Sequence, residues 1–361
     1  MLRGAVFRDE KEFAGCSIFG MMNVRGGKFT GEPMITAIAN MKERSNGLGG
    51  GFAGYGIYPE FADLYCIHLM CDDGTARKEV EQFLRSSFDV EEGETIPTRR
   101  TPGVEDPPQL WRYFVRPKHE ALGSEEGEED FMVRSVMHIN VNIEGAFVFS
   151  SGRNMGVFKG VGFPEDIGVF FRLEEYEGYQ WIAHGRFPTN TQGWWGGAHP
   201  FNILDWSVVH NGEISSYGIN RRYLEMYGYN CTLHTDTEVV AYAVDLLLRR
   251  HGLSIENMAK VLAAPLWTEI DRMPPEEKEV YTALRQTYGS LLLNGPFSVI
   301  ISNSRQMIGL TDRIRLRPLV AGRNGDFVYI SSEEAPMHLV DDTLEDTWIP
   351  QGGEPIVAEL L

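Results

Sequence analysis

Two hydrophobic periods alternate along this chain. Ala14 to Asn23 (AGCSIFGMMN) is small and apolar almost without a break, the pattern of a buried strand. Glu32 to Arg44 carries apolar residues at helical spacing behind Pro33, a residue suited to a first helical turn. Ser45 to Gly56 (SNGLGGGFAGYG) reads as a glycine loop. Ala62 to Met70 alternates as a strand does, and Ala76 to Phe88 has the stripe of an amphipathic helix. Asp89 to Asp130 is the weakest stretch. It holds Pro97, Pro102, Pro107, Pro108 and Pro117 and closes on the acidic run Ser124–Asp130, so it reads as a solvated excursion that is in part an ordered connection. From Phe131 onward strand patterns dominate: 146–150, 156–159, 180–183, 206–210, 297–302, 309–311 and 327–331 are rich in β-branched and aromatic residues. Asp236 to His251 predicts a strong helix that stops before Gly252, with further helices over 254–262 and 275–289. The sum is a mixed α and β domain with a subdomain inserted somewhere within 57–150.

Composition narrows the picture. At 361 residues the chain has room for one large domain or two smaller ones, and 43% hydrophobic with 11% aromatic residues suffices for a sizeable core. Acidic residues outnumber Lys and Arg 51 to 33, a formal charge of −18. Such a surface repels phosphate backbones and anionic membranes, so neither nucleic acid nor membrane is expected as a partner. There is no run of 18 apolar residues, and Met1 to Gly15 is too charged for a secretory signal. Four cysteines in so long a chain make no disulfide framework, which points to a cytoplasmic, reducing setting.

Each thiol then needs its own explanation. Cys16, opening an apolar strand, reads by itself as core filler, and no histidine lies near it in sequence. Cleavage between Gly15 and Cys16 would change that. The freed α-amine, with an intrinsic pKa of about 7.7–8.0, can take a proton from the thiol it is tethered to. Three later segments supply what such a nucleophile lacks. In His184–Thr191 (HGRFPTNT), at a strand end, Arg186 offers a planar fork suited to a carboxylate, though a structural salt bridge would use the same residue. In His210–Ile214 (HNGEI), the Asn211 amide and the Gly212 N–H can form an oxyanion hole, or an ordinary Asn-Gly turn. In His234–Glu238 (HTDTE), Thr235 or Asp236 can cap the strongest helix, and Asp236 can also bind an ammonium group.

Taken together in this order, these segments resemble the class II glutamine amidotransferases, which are N-terminal-nucleophile hydrolases. The likeness is closest to the amidotransferase domain of glutamate synthase. It extends to Trp194-Trp195, His199-Pro200-Phe201, Gly295-Pro296-Phe297, Asp312-Arg313, Leu316-Arg317-Pro318-Leu319 and Ser331-Ser332-Glu333. Members of the family commonly begin Cys-Gly, whereas here Cys16 is followed by Ser17-Ile18. The resemblance implies an α+β fold, a four-layer αββα sandwich with an inserted α/β subdomain. It implies a leader peptide over 1–15 and an amidotransferase domain over 16–361. It implies Cys16 as nucleophile, Asn211 and Gly212 as oxyanion hole, and Arg186 and Asp236 as holders of the glutamine α-carboxylate and α-ammonium, with Thr189 and Thr235 also in the substrate site. The implied activity is hydrolysis of L-glutamine, with ammonia passed to a partner synthase. A split glutamate synthase is the first expectation. Its partner subunits would carry flavin mononucleotide (FMN), iron–sulfur clusters and a glycine-repeat β-helix, with no cofactor in this chain. A subunit of an enzyme forming N-methylglutamate, a hydrolase of another amide and a non-catalytic interaction subunit are the alternatives.

Two other patterns carry less. Gly49-x-Gly51-x-x-Gly54 fits a dinucleotide fingerprint but follows a predicted helix, not a strand, so a turn or active-site loop is expected. Cys66 and Cys71 bracket His68 with no second pair of ligands, which favours core packing over a metal, and Cys231 reads as inert.

Overall fold

The computed structural model describes residues 15–187 and 193–361. The expected leader peptide lies, but for Gly15, outside the described residues. Two antiparallel sheets face each other. The larger has the order β17 (Asp346–Trp348), β15 (Val320–Asn324), β16 (Phe327–Ser331), β1 (Ser17–Asn23), β10 (Gln180–Gly185), β3 (Gly50–Tyr55), β8 (Met155–Gly160). The smaller runs β11 (Phe201–Ile203), β12 (Trp206–Gly212), β13 (Phe297–Ser302), β14 (Gln306–Thr311), β18 (Ile356–Glu359). β1 and β10 of the first sheet pack on β12 and β13 of the second. This explains why β1 is apolar rather than alternating: every residue in it is buried, one face against the other sheet and one against helices. Gly20 marks how close the sheets come, since a Cβ there would lie 2.7 Å from Met307 Sδ.

Helices close both outer faces. α1 (Glu32–Asn40), α4 (Pro164–Phe170) and α10 (Ala335–Val340) cover the seven-stranded sheet. α6 (Asp236–Val244) covers β11 and β12, with α5 (Tyr217–Glu225) packed against it. α7 (Ile255–Leu262), α8 (Trp267–Ile270) and α9 (Pro275–Tyr288) extend that side. The result is the expected four-layer order of helix, sheet, sheet, helix. A two-stranded ribbon pairs β2 (Phe29–Thr30) with β9 (Glu177–Gly178). Among the described residues no helix is long and apolar enough to cross a membrane.

The inserted α/β subdomain is a third sheet, β5 (Phe88–Thr95), β6 (Gln109–Pro117), β4 (Tyr65–Cys71), β7 (Ala146–Ser150), packed with α2 (Gly74–Ser87) and α3 (Glu128–Asn142). Here the structure corrects the sequence reading. The first part of the stretch after Asp89 is not an excursion but an ordered hairpin of β5 and β6, while the acidic run Ser124–Asp130 is largely exposed, as expected. β5 is an edge strand whose acids face solvent, and charge on an edge masks the alternation that would have revealed it. Residues after Phe131 begin as a helix, not a strand. Phe131, Met132, Val133, Val136, Met137 and Ile139 are buried along one face, while Glu128, Glu129 and Asp130 form the first turn, where the helix dipole favours negative charge. Of the glycine stretch after Ser45, 45–49 is a loop but Gly50–Tyr55 is not, because β3 is hydrogen-bonded between β10 and β8. Its glycines admit close neighbours: a Cβ on Gly51 would sit 2.3 Å from the His199 carbonyl oxygen. Finally, α6 ends at Val244 and widens into π-helical turns over Asp245–Arg250 rather than continuing as an α-helix to His251.

Candidate active site

The register of one strand pair brings the first two candidate residues together. Ser17 of β1 pairs with Gly185 of β10, so Cys16 and Arg186 leave the same end of the sheet side by side. The Phe187 N–H donates to Cys16 Sγ at 3.4 Å. Burial pushes the half-buried Cys16 thiol up. The Phe187 N–H and the Arg186 guanidinium pull it down, Asp236 pushes it up and Arg317 pulls it down, with a net rise above the ordinary thiol value. A thiol in this setting needs a base.

Arg186 is 5% exposed. Its N–H donates to the Gly49 carbonyl at 2.9 Å, and its own carbonyl accepts from Ser45 Oγ at 3.2 Å and from the Asn46 N–H at 3.3 Å. The side chain then runs between two glycines. A Cβ at Gly49 would lie 3.0 Å from Arg186 Cδ, and one at Gly197 would lie 3.3 Å from Arg186 Nη1. Burial lowers the guanidinium pKa, and the nearby Cys16 and Asp236 raise it again, leaving it below the ordinary arginine value.

Asn211 and Gly212 end β12 in the facing sheet. Asn211 is fully buried, with Nδ2 donating to Ser332 Oγ at 3.4 Å, and Ser332 Oγ also accepts from the Ile18 N–H at 3.1 Å. Asn211 Oδ1 has no partner and lies 3.9 Å from where a Cβ on Gly15 would be. Exchanging the two ends of this amide keeps its shape. The oxygen would then accept from the Ser332 hydroxyl, and Nδ2 would face Gly15. Gly212 has φ +145°, and a Cβ there would fall 2.0 Å from the Pro296 carbonyl oxygen, so only glycine fits.

Asp236 is the first residue of α6. Thr235 caps that helix, its Oγ1 accepting from the Glu238 N–H at 3.4 Å. Asp236 Oδ2 accepts from the Ile214 N–H at 2.9 Å. Its Oδ1 accepts from the Thr237 hydroxyl at 3.3 Å and lies 3.6 Å from His210 Nδ1. Burial pushes this carboxyl up, but His210, the Ile214 N–H and the Thr237 hydroxyl outweigh it and hold it below the usual carboxylate value. Asp236 is therefore an anion at neutral pH, and Cys16 and Arg186 both feel its charge.

Cys16, Arg186 and Asp236 thus share one electrostatic site, and Gly15 is close to Asn211. Thr235 Oγ1 accepts at the helix cap, which leaves its hydroxyl hydrogen available to donate. Thr189 lies outside the described residues. Three groups that were given no role from sequence also converge. Arg317 Nη1 and Arg44 Nη1 would lie 3.3 and 3.5 Å from a Cβ on Gly15, and Ser332 holds Asn211. Arg317 and Ser332 sit in the Leu316–Leu319 and Ser331–Glu333 motifs, which were their only signal. Lys159, which feels the Arg186 charge, is 1% exposed, and its Nζ donates to the Gly196 carbonyl at 3.1 Å. Burial brings this lysine down to about 7, against the pull of Glu238, itself pushed up to about 7 by burial. No local pattern marked Lys159. The remaining thiols are free and buried, with Cys66 and Cys71 packed into different core clusters.

Comparison with known proteins adds four findings. A family model described as "Glutamine amidotransferases class-II" matches residues 95–234, the span that includes Arg186, Asn211 and Gly212. An uncharacterized protein of Archaeoglobus fulgidus is 54% identical over 354 residues, covering 97% of this chain and 94% of that one. An amidophosphoribosyltransferase of Methanocaldococcus jannaschii is 27% identical over 203 residues, covering 55% of this chain but only 37% of the relative. Among solved structures, a glutamine phosphoribosylpyrophosphate amidotransferase from B. subtilis, complexed with ADP and GMP, aligns with a TM-score of 0.45 at 15% identity. That alignment covers 96% of this chain and 49% of that chain.

Proposed function

The chain belongs to the class II glutamine amidotransferases, whose family model matches residues 95–234, and we propose that it hydrolyses L-glutamine to L-glutamate and ammonia through a thioester on Cys16. The single observation that carries this reading is the β1–β10 register, which sets the Cys16 thiol beside Arg186 with the Asp236 carboxylate in the same field.

Removal of residues 1–15 exposes the Cys16 α-amine. The amine takes the thiol proton, and the thiolate attacks the side-chain amide carbon of glutamine. Arg186 holds the α-carboxylate through its fork and Asp236 holds the α-ammonium, so the amide is presented rather than left to diffuse. As the C–S bond forms, negative charge gathers on the amide oxygen, where Asn211 Nδ2 and the Gly212 N–H donate to it. One such donor is worth about 2.7–4 kcal/mol of barrier. The C–N bond then breaks, the amine returns its proton to the leaving nitrogen, and ammonia departs. Water adds to the thioester, the C–S bond breaks, and glutamate leaves with the thiol restored.

For the ammonia acceptor we propose a glutamate-synthase-type partner carrying FMN and iron–sulfur clusters, with a glycine-repeat β-helix subunit. The support is the HGRFPTNT, HNGEI and HTDTE order, which resembles that family most closely.

A chain beginning at Cys16 should release glutamate from L-glutamine, and Cys16→Ala should abolish that release without loss of fold. Hydrolysis that survives the substitution rejects the assignment. Glutamine blocked at its α-amine or α-carboxylate should not be turned over, and turnover of both blocked forms would point to another amide. Pull-down of a flavin-bearing partner tests the acceptor.

A further inference from the structure

We infer that the Thr237 hydroxyl is a positioning device that aims the Asp236 carboxylate at the substrate ammonium, with His199 and His210 as its supports. The inference rests on the proposed glutamine site and adds a residue to it.

Thr237 is the second residue of α6 and is wholly buried. It is not needed as a cap, because Thr235 already accepts from the Glu238 N–H. Nor is it a passive core residue, because a buried hydroxyl costs free energy unless its hydrogen bonds are made. Valine would fill the same volume at no such cost. Instead three polar groups converge on one oxygen. His199 Nε2 lies 2.6 Å from Thr237 Oγ1 and His210 Nδ1 lies 3.1 Å from it, while the hydroxyl donates to Asp236 Oδ1 at 3.3 Å.

Counting protons settles the directions. The carboxylate can only accept, so the single hydroxyl hydrogen goes to Asp236. Both rings must then donate to the two lone pairs of Oγ1. That assigns His199 as its Nε2–H tautomer and His210 as its Nδ1–H tautomer. The other nitrogens, His199 Nδ1 and His210 Nε2, are the ones left without partners, so this pair of tautomers leaves no buried ring N–H without an acceptor. With both lone pairs filled, the hydroxyl cannot turn away from Asp236.

The same rings link the site's strands. His184 stacks on His199 with ring centroids 4.0 Å apart, and its Nε2 donates to the His210 carbonyl at 3.0 Å. His184 stands two residues before Arg186 and His210 one before Asn211. Asp236 is thus fixed relative to the strands that carry Arg186 and the oxyanion donors. Its second oxygen is held from the other side by the Ile214 N–H.

The test is a double-substitution cycle on the chain beginning at Cys16. Thr237→Val should raise KM for L-glutamine about tenfold with kcat within about twofold, and Thr237→Ser should restore the wild-type KM. Asp236→Asn removes the group that Thr237 acts through. Adding Thr237→Val to it should therefore raise KM by less than about twofold more. L-glutamate affinity, measured by calorimetry in a Cys16→Ala background, should follow the same pattern without any chemistry. Should Thr237→Val not fold, Thr237→Ala makes the same comparison. An unchanged KM in the hydroxyl-free variant overturns the inference. So does a full tenfold effect in the Asp236→Asn background, or failure of serine to rescue. If the unsubstituted chain neither hydrolyses glutamine nor binds glutamate, the proposed function falls and takes this inference with it. An active parent with an indifferent Thr237→Val removes only the inference.

Discussion

Gly212→Ala should cripple turnover while leaving substrate capture nearly intact. The added Cβ would lie 2.0 Å from the Pro296 carbonyl oxygen, and φ at this position is +145°. Ordinary contact for such a carbon begins at 3.4 Å, so the two must part by about 1.4 Å. The oxygen being pushed is the acceptor for the Glu213 N–H at 3.0 Å, so that hydrogen bond goes too. Holding a non-glycine residue in this backbone region costs about 1–3 kcal/mol. Losing the hydrogen bond adds about 0.5–1.5 kcal/mol. The chain end of β12 will move rather than bear about 1.5–4.5 kcal/mol in place, and it carries both proposed oxyanion donors. A displacement of about 1 Å in a reacting geometry costs on the order of 10² in rate. The assay is steady-state glutamate release, with urea unfolding alongside. We expect kcat to fall about 100-fold and KM to change by less than about threefold, because Arg186 and Asp236 stand on other elements. A variant that folds as the parent does and turns over at the parent's rate would refute the placement of the oxyanion donors on β12.

Asn211→Ala should lower kcat by about 10²–10³ with little change in KM, measured in the same assay. Arg186→Lys should act the opposite way, raising KM about tenfold or more with kcat nearly kept, because a point charge replaces a two-pronged fork. Lys159→Met should change how stability depends on pH. The folded lysine titrates at about 7, well below its unfolded value, so between pH 7 and about 10 the unfolded chain binds more protons and parent stability rises with pH. The stability of Lys159→Met relative to the parent should therefore be greatest below pH 7 and shrink steadily toward pH 10 in urea unfolding. A difference that does not vary with pH would mean that the buried lysine does not titrate there.

The corrections to the sequence reading share a physical origin. β5 was hidden because an edge strand needs only one buried face and protects the other with charge, so FDVEEGET looks like a solvated run. β3 was hidden because its glycines, needed where the His199 carbonyl and the Trp181 ring press against the strand, look locally like a turn. α3 was hidden because its methionines and β-branched residues read as strand until one sees which of them share a buried face. In each case the deciding energy comes from a neighbour remote in the chain, and local propensity is too weak to oppose it.

The amino-acid order alone suggested the chemistry. A cysteine opening an apolar strand, an arginine ending another, an Asn-Gly pair and an aspartate at a helix start are side-chain types with few other joint uses, and their sequence order pointed to one family. What it could not carry was which groups stand together. Cys16 meets Arg186 only because β1 and β10 pair in one register, and Asn211 faces Gly15 only because two sheets close on each other. Arg317, Ser332, Lys159 and Thr237 join the site from elements that touch it after folding. Register and layer packing are set by burial summed over whole sheets, a collective quantity that no single segment contains.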